Sequence, residues 1–333
     1  MNIARIILQR CLWLAGAAAG LAAVHGALAQ GKVAGAYPAK PVRLVVASAA
    51  GGGTDINARL LAGGLTAAWS QQVVVDNRSG AGGTIATDIV AKAQPDGHTL
   101  LFQSLGISYA SALYKNLPFD VQRDIAPVAL VAAQPFVVAV HPGVPAKSVA
   151  EFVQFAKKEP ERLRYGSGGV GGASHLGTAL LLATAGIDIT HVPYKGTGPA
   201  VTALLGNEVQ MLIGAMGAVA PHARSGRVRM LAVTGARRSA MMPELPTVQE
   251  AGLPGYSFDV WYGLFAPAKT PRAIVQKINA DTNAFLDDPG TRKQFAKADV
   301  EPMGGSVKEF DDYMRAEMAR WAKVIRDAGI RAN

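Results

Sequence analysis

The sequence predicts an α/β fold, because short runs rich in Val, Ile and Leu alternate along the chain with amphipathic helical stretches. Continuous apolar runs are typical of strands buried in a parallel sheet, and the stretches between them suit βαβ crossovers. A second observation is a unit that occurs four times, namely an apolar run, a glycine-rich loop and the opening of a helix. The chain has 333 residues, 50% of them hydrophobic and 17% charged, which favours a compact globular protein of two domains.

Ten strands are predicted from these apolar runs. They are Val42–Ala47, Val73–Asp76, Thr99–Gln103, Val128–Ala132, Phe136–His141, Leu163–Gly166, Ile189–Tyr194, Val209–Ile213, Met230–Thr234 and Gly263–Pro267.

Two helices are predicted near the C-terminus from their start signals. Thr270 is predicted to cap a helix that has Pro271 in its first turn and carries apolar residues on one side. Ser306 and Glu309 have the spacing of a capping box. The helix that follows has apolar residues at spacings of three and four, which predicts a face packed on the core. These are Val307, Phe310, Met314, Met318, Trp321 and Ile325.

The N-terminal segment has the pattern of a secretory signal. Arg5 and Arg10 precede an Ala/Leu run that ends in Ala27-Leu28-Ala29, so residues 1–29 are predicted to be removed by cleavage after Ala29. Cys11, the only cysteine, lies in this segment, and the mature chain would therefore contain no disulfide. We expect an exported protein that is held together by its core.

The charge of the chain is positive but dispersed. The formal net charge is +9, and it becomes +7 once the predicted signal with its two arginines is removed. Basic residues are scattered rather than clustered on one face or interleaved with aromatic residues, which is the pattern of a solvated surface and not of a nucleic-acid binder. A positive field would attract anions.

The four repeated units predict where an anion would bind. They are VRLVVASAAGGGTDINARLL, VVVDNRSGAGGTIATDIVAKA, LRYGSGGVGGASHLGTALLL and HVPYKGTGPAVTALL. Glycine allows the backbone to turn tightly and to approach a ligand closely. The helix that follows directs unpaired N–H groups and the positive end of its dipole into the loop. Such a loop is a general receptor for anions.

Other chemistries are less well supported by the sequence. Gly166–Gly171 matches G-x-G-x-x-G, but Asp188 precedes the next predicted strand instead of ending it, which disfavours a dinucleotide site. The histidines lack the spacing of metal ligands, so neither a metal nor another cofactor is predicted. His175, beside Ser174, either contacts a ligand or caps the helix. Asp55 either orients its loop or binds a donor group of the ligand.

Motifs along the whole chain resemble one known family. In order they are A-G-G-G-T-D-I, N-R-x-G-A-G-G-T-I, P-D-G-H-T-L-L, Y-G-S-G-G-V-G-G-A-S-H-L, H-V-P-Y-K-G-T-G-P-A, L-P-T-V-Q-E-A-G-L-P-G-Y and W-Y-G-L-F-A-P. Together they are similar to the periplasmic solute-binding proteins of tripartite tricarboxylate transporters, the Bordetella uptake gene family. The resemblance extends from about Tyr37 to Ile330.

The resemblance implies a two-domain clamshell of the type II periplasmic-binding-protein class, each domain a mostly parallel sheet flanked by helices. One domain would comprise residues 37–138 and 259–333, and the other residues 139–258, with chain crossings at Phe136–His141 and Tyr256–Pro267. Trp261 and Tyr262 are interpreted as core or hinge packing, with lining of the cleft as the alternative. The implied protein is a monomeric periplasmic receptor without enzymatic activity, and its partners are a small carboxylate and the membrane subunits of a transporter.

The resemblance also implies the binding residues. The first binding loop corresponds to residues 48–55, the loop of the second domain to residues 167–175, and a third contact to Lys195 through Pro199, with Ser104 at another strand end. The expected ligand contacts are Ser48, Ala50, Gly51, Gly52, Thr54, Asp55, Ser104, Ser167, Gly168, Gly169, Ser174, His175, Thr197 and Gly198.

The chain departs from the family pattern in two places. Ala47-Ser48 stands where members commonly have proline and an aromatic residue, and Gly214-Ala215 stands where members often have an acid. An acid there could recognise an amino group, so we expect a carboxylate ligand without an α-amine. Two alternatives remain, a sensory module that signals to a membrane kinase and a hydrolase that uses Ser167 or Ser174 with His175.

Overall fold

The fold is seen in a computed structural model that describes residues 37–194, 196–239, 241–297, 300–327 and 329–330. Residues from Pro41 onward form one compact unit. The predicted signal peptide and its cleavage after Ala29 lie outside the described residues.

Strands and helices alternate through most of the described chain. The strands are β1 Val42–Val46, β2 Val73–Asn77, β3 Thr99–Ser104, β4 Ile125–Val140, β5 Arg164–Ser167, β6 Thr190–Pro193, β7 Met211–Ala215, β8 Arg229–Val233, β9 Asp259–Pro267 and β10 Glu301–Pro302. The helices are α1 Gly53–Trp69, α2 Thr84–Ala91, α3 Gly106–Leu113, α4 Val121–Asp124, α5 Val149–Lys158, α6 Ala173–Ala185, α7 Thr197–Leu205, α8 Met216–Arg224, α9 Arg272–Asp287, α10 Pro289–Lys297 and α11 Val307–Asp327, with short 3-10 helices at Ala81–Gly83 and Pro160–Arg162.

The first group of strands is built from βαβ units. β1 lies between β2 and β3 and is parallel to both, and α1 and α2 form the crossovers. Because the strands are parallel, their carboxyl ends at Val46, Asn77 and Ser104 lie at one edge of the sheet. The antiparallel strand β9 then pairs with β3.

A second group repeats this arrangement. β5 lies between β6 and β7 and is parallel to both, with α6 and α7 following β5 and β6. The carboxyl ends at Ser167, Pro193 and Ala215 therefore share an edge as well. β7 and β8 both pair antiparallel with the last part of β4.

β4 joins the two groups. The sequence predicts two strands in this region, but the structure has one strand of 16 residues that changes partners: Ile125–Pro135 pairs with β9, and Phe136–Val140 pairs with β7 and β8. Ala132 of β4 is level with Ser104, the end of β3, because both pair with Tyr262. Phe136 of β4 pairs with Ala215, the end of β7. The two carboxyl edges are therefore separated by the four residue steps from Ala132 to Phe136, about 13 Å along β4.

The α/β fold class predicted from the sequence is confirmed. β10 was not predicted, and the remaining strands match their predicted ranges to within a few residues. The predicted domain boundaries stay predictions, and they fall inside β4 and at Asp259, the first residue of β9. None of the described helices is long and apolar enough to cross a membrane.

Each sheet has its own core. The apolar face predicted for α11 is buried at Phe310, Met314, Trp321 and Ile325, and the ring of Phe310 packs edge-on against Trp261 of β9 at 5.8 Å. A second cluster lies between β4, β7 and β8 and helices α7 and α8. It contains Val137, Leu204, Leu212, Val219 and Val233, all at most 1% exposed.

The helix start signals have different outcomes. The capping box is confirmed, since the Glu309 N–H donates to Ser306 Oγ at 3.2 Å and the Ser306 N–H donates to Glu309 Oε2 at 2.7 Å. The prediction of Thr270 as N-cap is wrong. Pro271 occupies the cap position, and Thr270 Oγ1 is buried without a hydrogen-bond partner among the described residues.

Replacing Ser306 by alanine should therefore destabilise the protein. Ser306→Ala removes the acceptor of the Glu309 N–H, and loss of such a cap costs about 1 kcal/mol. The check is the shift of the urea unfolding midpoint. Ser79→Ala is the control, because Ser79 is exposed and its side chain makes no hydrogen bond with the described residues. Equal midpoints for both variants would contradict the role assigned to the box.

Candidate functional site

Loop 1 (residues 48–55) connects β1 to α1. Gly51 has a φ of +80°, a conformation that favours glycine, and the Gly52 N–H donates back to the Ala49 carbonyl at 3.4 Å. The Ser48 carbonyl accepts from Asn77 Nδ2 at 3.1 Å. The strand ends of β1 and β2 therefore hold this loop in place.

The carboxylate of Asp55 organises loop 1. It is 2% exposed and accepts from the Gly51 N–H at 2.8 Å, from Arg59 Nε at 3.0 Å and from Asn77 Nδ2 at 2.9 Å. Burial alone would raise the pKa of Asp55, but the bonds from Arg59, Gly51 and Asn77 outweigh it, so the pKa lies below its usual value. Asp55 is thus ionised, and three donors within the protein use most of its acceptor sites.

The start of α1 presents unpaired donors. The first helical hydrogen bond runs from the Ile56 N–H to the Gly52 carbonyl at 2.9 Å. No described residue accepts a bond from the N–H groups of Gly53, Thr54 or Asp55. These groups carry the positive end of the helix dipole, as predicted for an anion receptor.

Loop 2 (residues 167–175) repeats the construction of loop 1 between β5 and α6. Gly171 has a φ of +74°, and its N–H donates to His175 Nδ1 at 3.0 Å, four residues ahead, as the Gly51 N–H does to Asp55. The Gly172 N–H donates to the Gly169 carbonyl at 3.1 Å. No described residue accepts a bond from the N–H groups of residues 173–175, and the first helical bond is donated by Leu176.

The two loops share their backbone torsions. Gly52, the N-cap of α1, has φ −77° and ψ 162°, and Gly172, the N-cap of α6, has φ −75° and ψ 163°. In both loops a side chain at the third helical position, Asp55 or His175, accepts the N–H of the residue that precedes the N-cap. The chain therefore builds one receptor element twice.

A stacked pair of histidines packs beside loop 2. The rings of His175 and His191 lie 4.1 Å apart with an interplanar angle of 8°, and Tyr165 stacks on His191 at 4.6 Å. Burial lowers the pKa of both histidines to about 4, with a further contribution at His175 from His191. Only a neutral His175 ring, protonated at Nε2, can accept the Gly171 N–H.

His191 also contacts Ser167, the last residue of β5. Ser167 Oγ lies 2.6 Å from His191 Nε2 and accepts the Gly169 N–H at 3.1 Å. Sequence reasoning did not place His191 in the site. The register of β5 with β6, which pairs Tyr165 with His191, brings it beside Ser167. Ser167 has no exposed surface, so a hydrolytic substrate cannot reach its hydroxyl in this arrangement.

A third loop lies against loop 2. The Gly196 N–H donates to the Gly168 carbonyl at 3.1 Å, and a Cβ on Gly168 would lie 3.2 Å from the Thr197 nitrogen. Gly214, near the end of β7, faces the Thr197 methyl group. Gly198 is exposed, and Lys195, part of the same predicted contact, lies outside the described residues.

Loop 2 also contacts the first group of elements. A Cβ on Gly171 would meet Leu113 Cδ2 at 2.3 Å and the Tyr114 hydroxyl at 3.5 Å, both just after or at the end of α3. The same hydroxyl would lie 2.9 Å from a Cβ on Gly82, in the loop before α2. The glycine loops on the two carboxyl edges therefore approach each other at this point.

The predicted site residues divide into two clusters, one on each edge. Ser48, Ala50, Gly51, Gly52, Thr54 and Asp55 lie in loop 1, and Ser104 ends β3 nearby; Ser167, Gly168, Gly169, Ser174 and His175 lie in loop 2 beside Thr197 and Gly198. The Ser174 hydroxyl accepts the Gly168 N–H at 2.9 Å, so it supports the loop as Asp55 and His175 do. Among the described residues, no His, Cys, Asp or Glu side chains are grouped as metal ligands.

The histidine pair predicts a loss of stability in acid. Both pKa values lie below the ordinary 6.5, so the unfolded chain binds more protons than the folded one. The free energy of unfolding is therefore unaffected by the protonation of these rings above pH 6.5. It decreases as the pH falls towards 4, by no more than about 1.4 kcal/mol per pH unit for each ring. Urea unfolding between pH 7.5 and 4.5 measures this slope.

Two variants test whether the histidine pair causes this pH dependence of stability. His191→Gln should flatten the pH dependence because it removes one of the stacked rings, whereas His222→Gln, at the end of α8, should leave it unchanged. An unchanged slope in His191→Gln would show that other groups cause the acid sensitivity.

Comparisons of sequence place the chain among known proteins. Residues 57–330 match the family described as "Tripartite tricarboxylate transporter family receptor". Protein BugT of Bordetella pertussis is 34% identical over 331 residues, 99% of both chains. A UPF0065 protein of a Pseudomonas species, from the tcbD-tcbE intergenic region, is 37% identical over 299 residues, which are 90% of this chain and 89% of the relative.

Solved structures show the same likeness. The Rhodopseudomonas palustris protein Rpa4515 with adipate has a TM-score of 0.83 and 38% identity, over 89% of this chain and all of the other. MatC from the same organism, with bound malate, has a TM-score of 0.79 and 33% identity, over 87% of this chain and all of the other. The periplasmic binding protein BugD has a TM-score of 0.80 and 33% identity, over 89% of this chain and all of the other. Motifs, fold and relatives agree, and the chain belongs to the tripartite tricarboxylate transporter receptor family, the Bug proteins.

Proposed function

We propose that this protein is an extracytoplasmic solute-binding protein that captures a small carboxylate between loops 1 and 2 and delivers it to a tripartite tricarboxylate-type membrane transporter. The observation that carries this proposal is the pair of equivalent helix starts with unpaired N–H groups on the two carboxyl edges. In this proposal the mature protein is a periplasmic monomer, cleaved after Ala29, and its partners are the membrane subunits of the transporter.

Backbone donors suit a carboxylate ligand. An N–H group that binds a carboxylate makes a charge-assisted hydrogen bond, which is stronger than a bond between neutral groups, and the helix dipoles favour the negative charge. The side chains of Asp55 and His175 hold the loops that aim these donors. Several such bonds with modest apolar burial fit a dissociation constant that is roughly micromolar or lower, about −8 kcal/mol.

The relatives and the loop chemistry support a carboxylate without an α-amine. Two similar receptors were solved with adipate and with malate, neither of which carries an amino group. Asp55 is the only acid in loops 1 and 2, and Gly51, Arg59 and Asn77 occupy its oxygens. Gly214 and Ala215 add no carboxylate beside Thr197.

Closure of two domains would complete the site. In the proposed division, residues 37–138 and 259–333 form one domain and residues 139–258 the other, linked through β4 and the segment before β9. A hinge at these two crossings would bring loops 1 and 2 together and shield the hydrogen bonds from water. The closed form would be the one presented to the membrane subunits.

A panel of carboxylates tests the proposal. The mature protein is unfolded, refolded without ligand, and heated with acetate, adipate, malate, citrate, glutamate and aspartate. We expect an increase in melting temperature with a di- or tricarboxylate, because a ligand at 100 times its dissociation constant adds about 2.7 kcal/mol. The deaminated acids should bind more tightly than aspartate and glutamate. A preference for the amino acids, or no shift with any carboxylate, would refute the proposed ligand class.

A backbone variant tests the role of the helix starts. Ala173→Pro removes one unpaired N–H at the first position of α6, where proline is tolerated, and Gly172 already has the extended conformation that proline requires before it. Loss of one bond to a charged group should raise the dissociation constant about 10- to 100-fold without lowering the melting temperature of the free protein.

The matched control is Ala173→Ser, which changes the side chain at the same position but keeps the N–H. Its affinity should equal that of the wild type in isothermal titration calorimetry. If Ala173→Pro also binds like the wild type, then the start of α6 does not contact the ligand.

A further inference from the structure

Tyr262 is a buried residue whose hydroxyl has no hydrogen-bond partner among the described residues. The residue is 2% exposed, and no described residue makes a hydrogen bond with its hydroxyl. The hydroxyl oxygen is not among the fully buried side-chain atoms that lack a partner, so the buried ring presents its hydroxyl at the surface. A hydroxyl in this position is open to a hydrogen-bond partner from outside the chain.

The position of this hydroxyl is fixed by packing. Tyr262 lies in β9 opposite Ser104 of β3, so the two side chains share one face of the sheet. Its ring stacks on Phe102, with centroids 6.2 Å apart and an interplanar angle of 10°. The hydroxyl points to the start of α1, where a Cβ on Gly53 would be 3.0 Å from it.

Other buried polar rings of the same region are paired. Trp261, the preceding residue on the opposite face of β9, donates from Nε1 to Glu317 Oε2 at 3.1 Å. Tyr256, in the segment that leads to β9, donates from its hydroxyl to the Gly177 carbonyl at 3.0 Å. Their hydrogen bonds hold helices in place, whereas the Tyr262 hydroxyl lies beside Gly53, the first residue of α1.

A hydroxyl donor beside the start of a helix suits an acceptor at that place. Burial raises the pKa of the Tyr262 hydroxyl above its usual value, so the group stays protonated and can donate. A phenol O–H beside a helix start that carries free N–H groups suits the lone pairs of one carboxylate group. Glycine at position 53 leaves room for this approach, because any larger residue would press on the hydroxyl.

We propose that Tyr262 binds the solute directly, its hydroxyl donating a hydrogen bond to the carboxylate group held at the start of α1. This inference rests on the proposed function and assigns a binding residue that lies outside both glycine loops. The ring packs on Phe102 and its hydroxyl lies against Gly53, so the position of the hydroxyl is fixed. The hydroxyl therefore determines how deeply the carboxylate enters loop 1. Tyr262 is then a determinant of ligand position in the first domain.

The test is the variant Tyr262→Phe, measured by isothermal titration calorimetry with adipate, malate and citrate. Removal of the donor should raise the dissociation constant of the preferred acid at least about tenfold. The melting temperature of the ligand-free protein should stay the same or rise, since no internal hydrogen bond is lost. A dissociation constant within twofold of the wild-type value would overturn the inference, and so would a lower melting temperature with unchanged affinity.

Tyr313→Phe is the matched control. Tyr313 lies on α11 and packs edge-on against Trp261 at 5.8 Å, on the opposite face of β9, so loss of its hydroxyl should leave affinity unchanged. The wild-type titration separates the two hypotheses. If the wild type binds none of the three acids, the proposed function fails and this inference with it; if it binds and Tyr262→Phe binds equally, only the role of Tyr262 is wrong.

Discussion

The architecture depends on one strand that belongs to both sheets. β4 pairs with β9 up to Pro135 and with β7 and β8 from Phe136, and this change of partners sets the distance between the two carboxyl edges. Parallel strands end their βαβ units at such edges, where loops and helix starts collect. A shift of register in β4 would displace every donor on one edge relative to the other, so the strand fixes the geometry of the candidate site before any ligand is present.

The loops themselves are stabilised by the side chains that the sequence marks as ligand contacts. Asp55, Ser174 and His175 accept N–H groups of their own loops, and Ser167 is enclosed between Gly169 and His191. Among the described residues, the groups left without a partner include backbone N–H groups at both helix starts and the Tyr262 hydroxyl.

Local patterns predict the local parts of this structure well. The glycine loops, the strands that precede them and the Ser306 capping box were all predictable, since each depends on neighbours within a few residues. Features that depend on strand pairing were missed. His191 meets His175 only through the register of β5 and β6, and Gln134-Pro135 interrupts an apolar run in sequence although the strand continues by changing partners. The order of strands decides the surroundings of Tyr262, and no motif encodes that order.

The equivalence of loops 1 and 2 has a consequence for the orientation of a bound solute. With the same torsions at Gly52 and Gly172, each half of the proposed cleft offers the same kind of receptor. A linear diacid with identical ends would then have two indistinguishable ways to bind, a statistical advantage of about 0.4 kcal/mol. A diacid with unlike ends has two different bound orientations, which the shared loop torsions do not distinguish. The groups that differ between the halves, such as Asp55 against His175 and the hydroxyl of Tyr262, would decide which end faces which half.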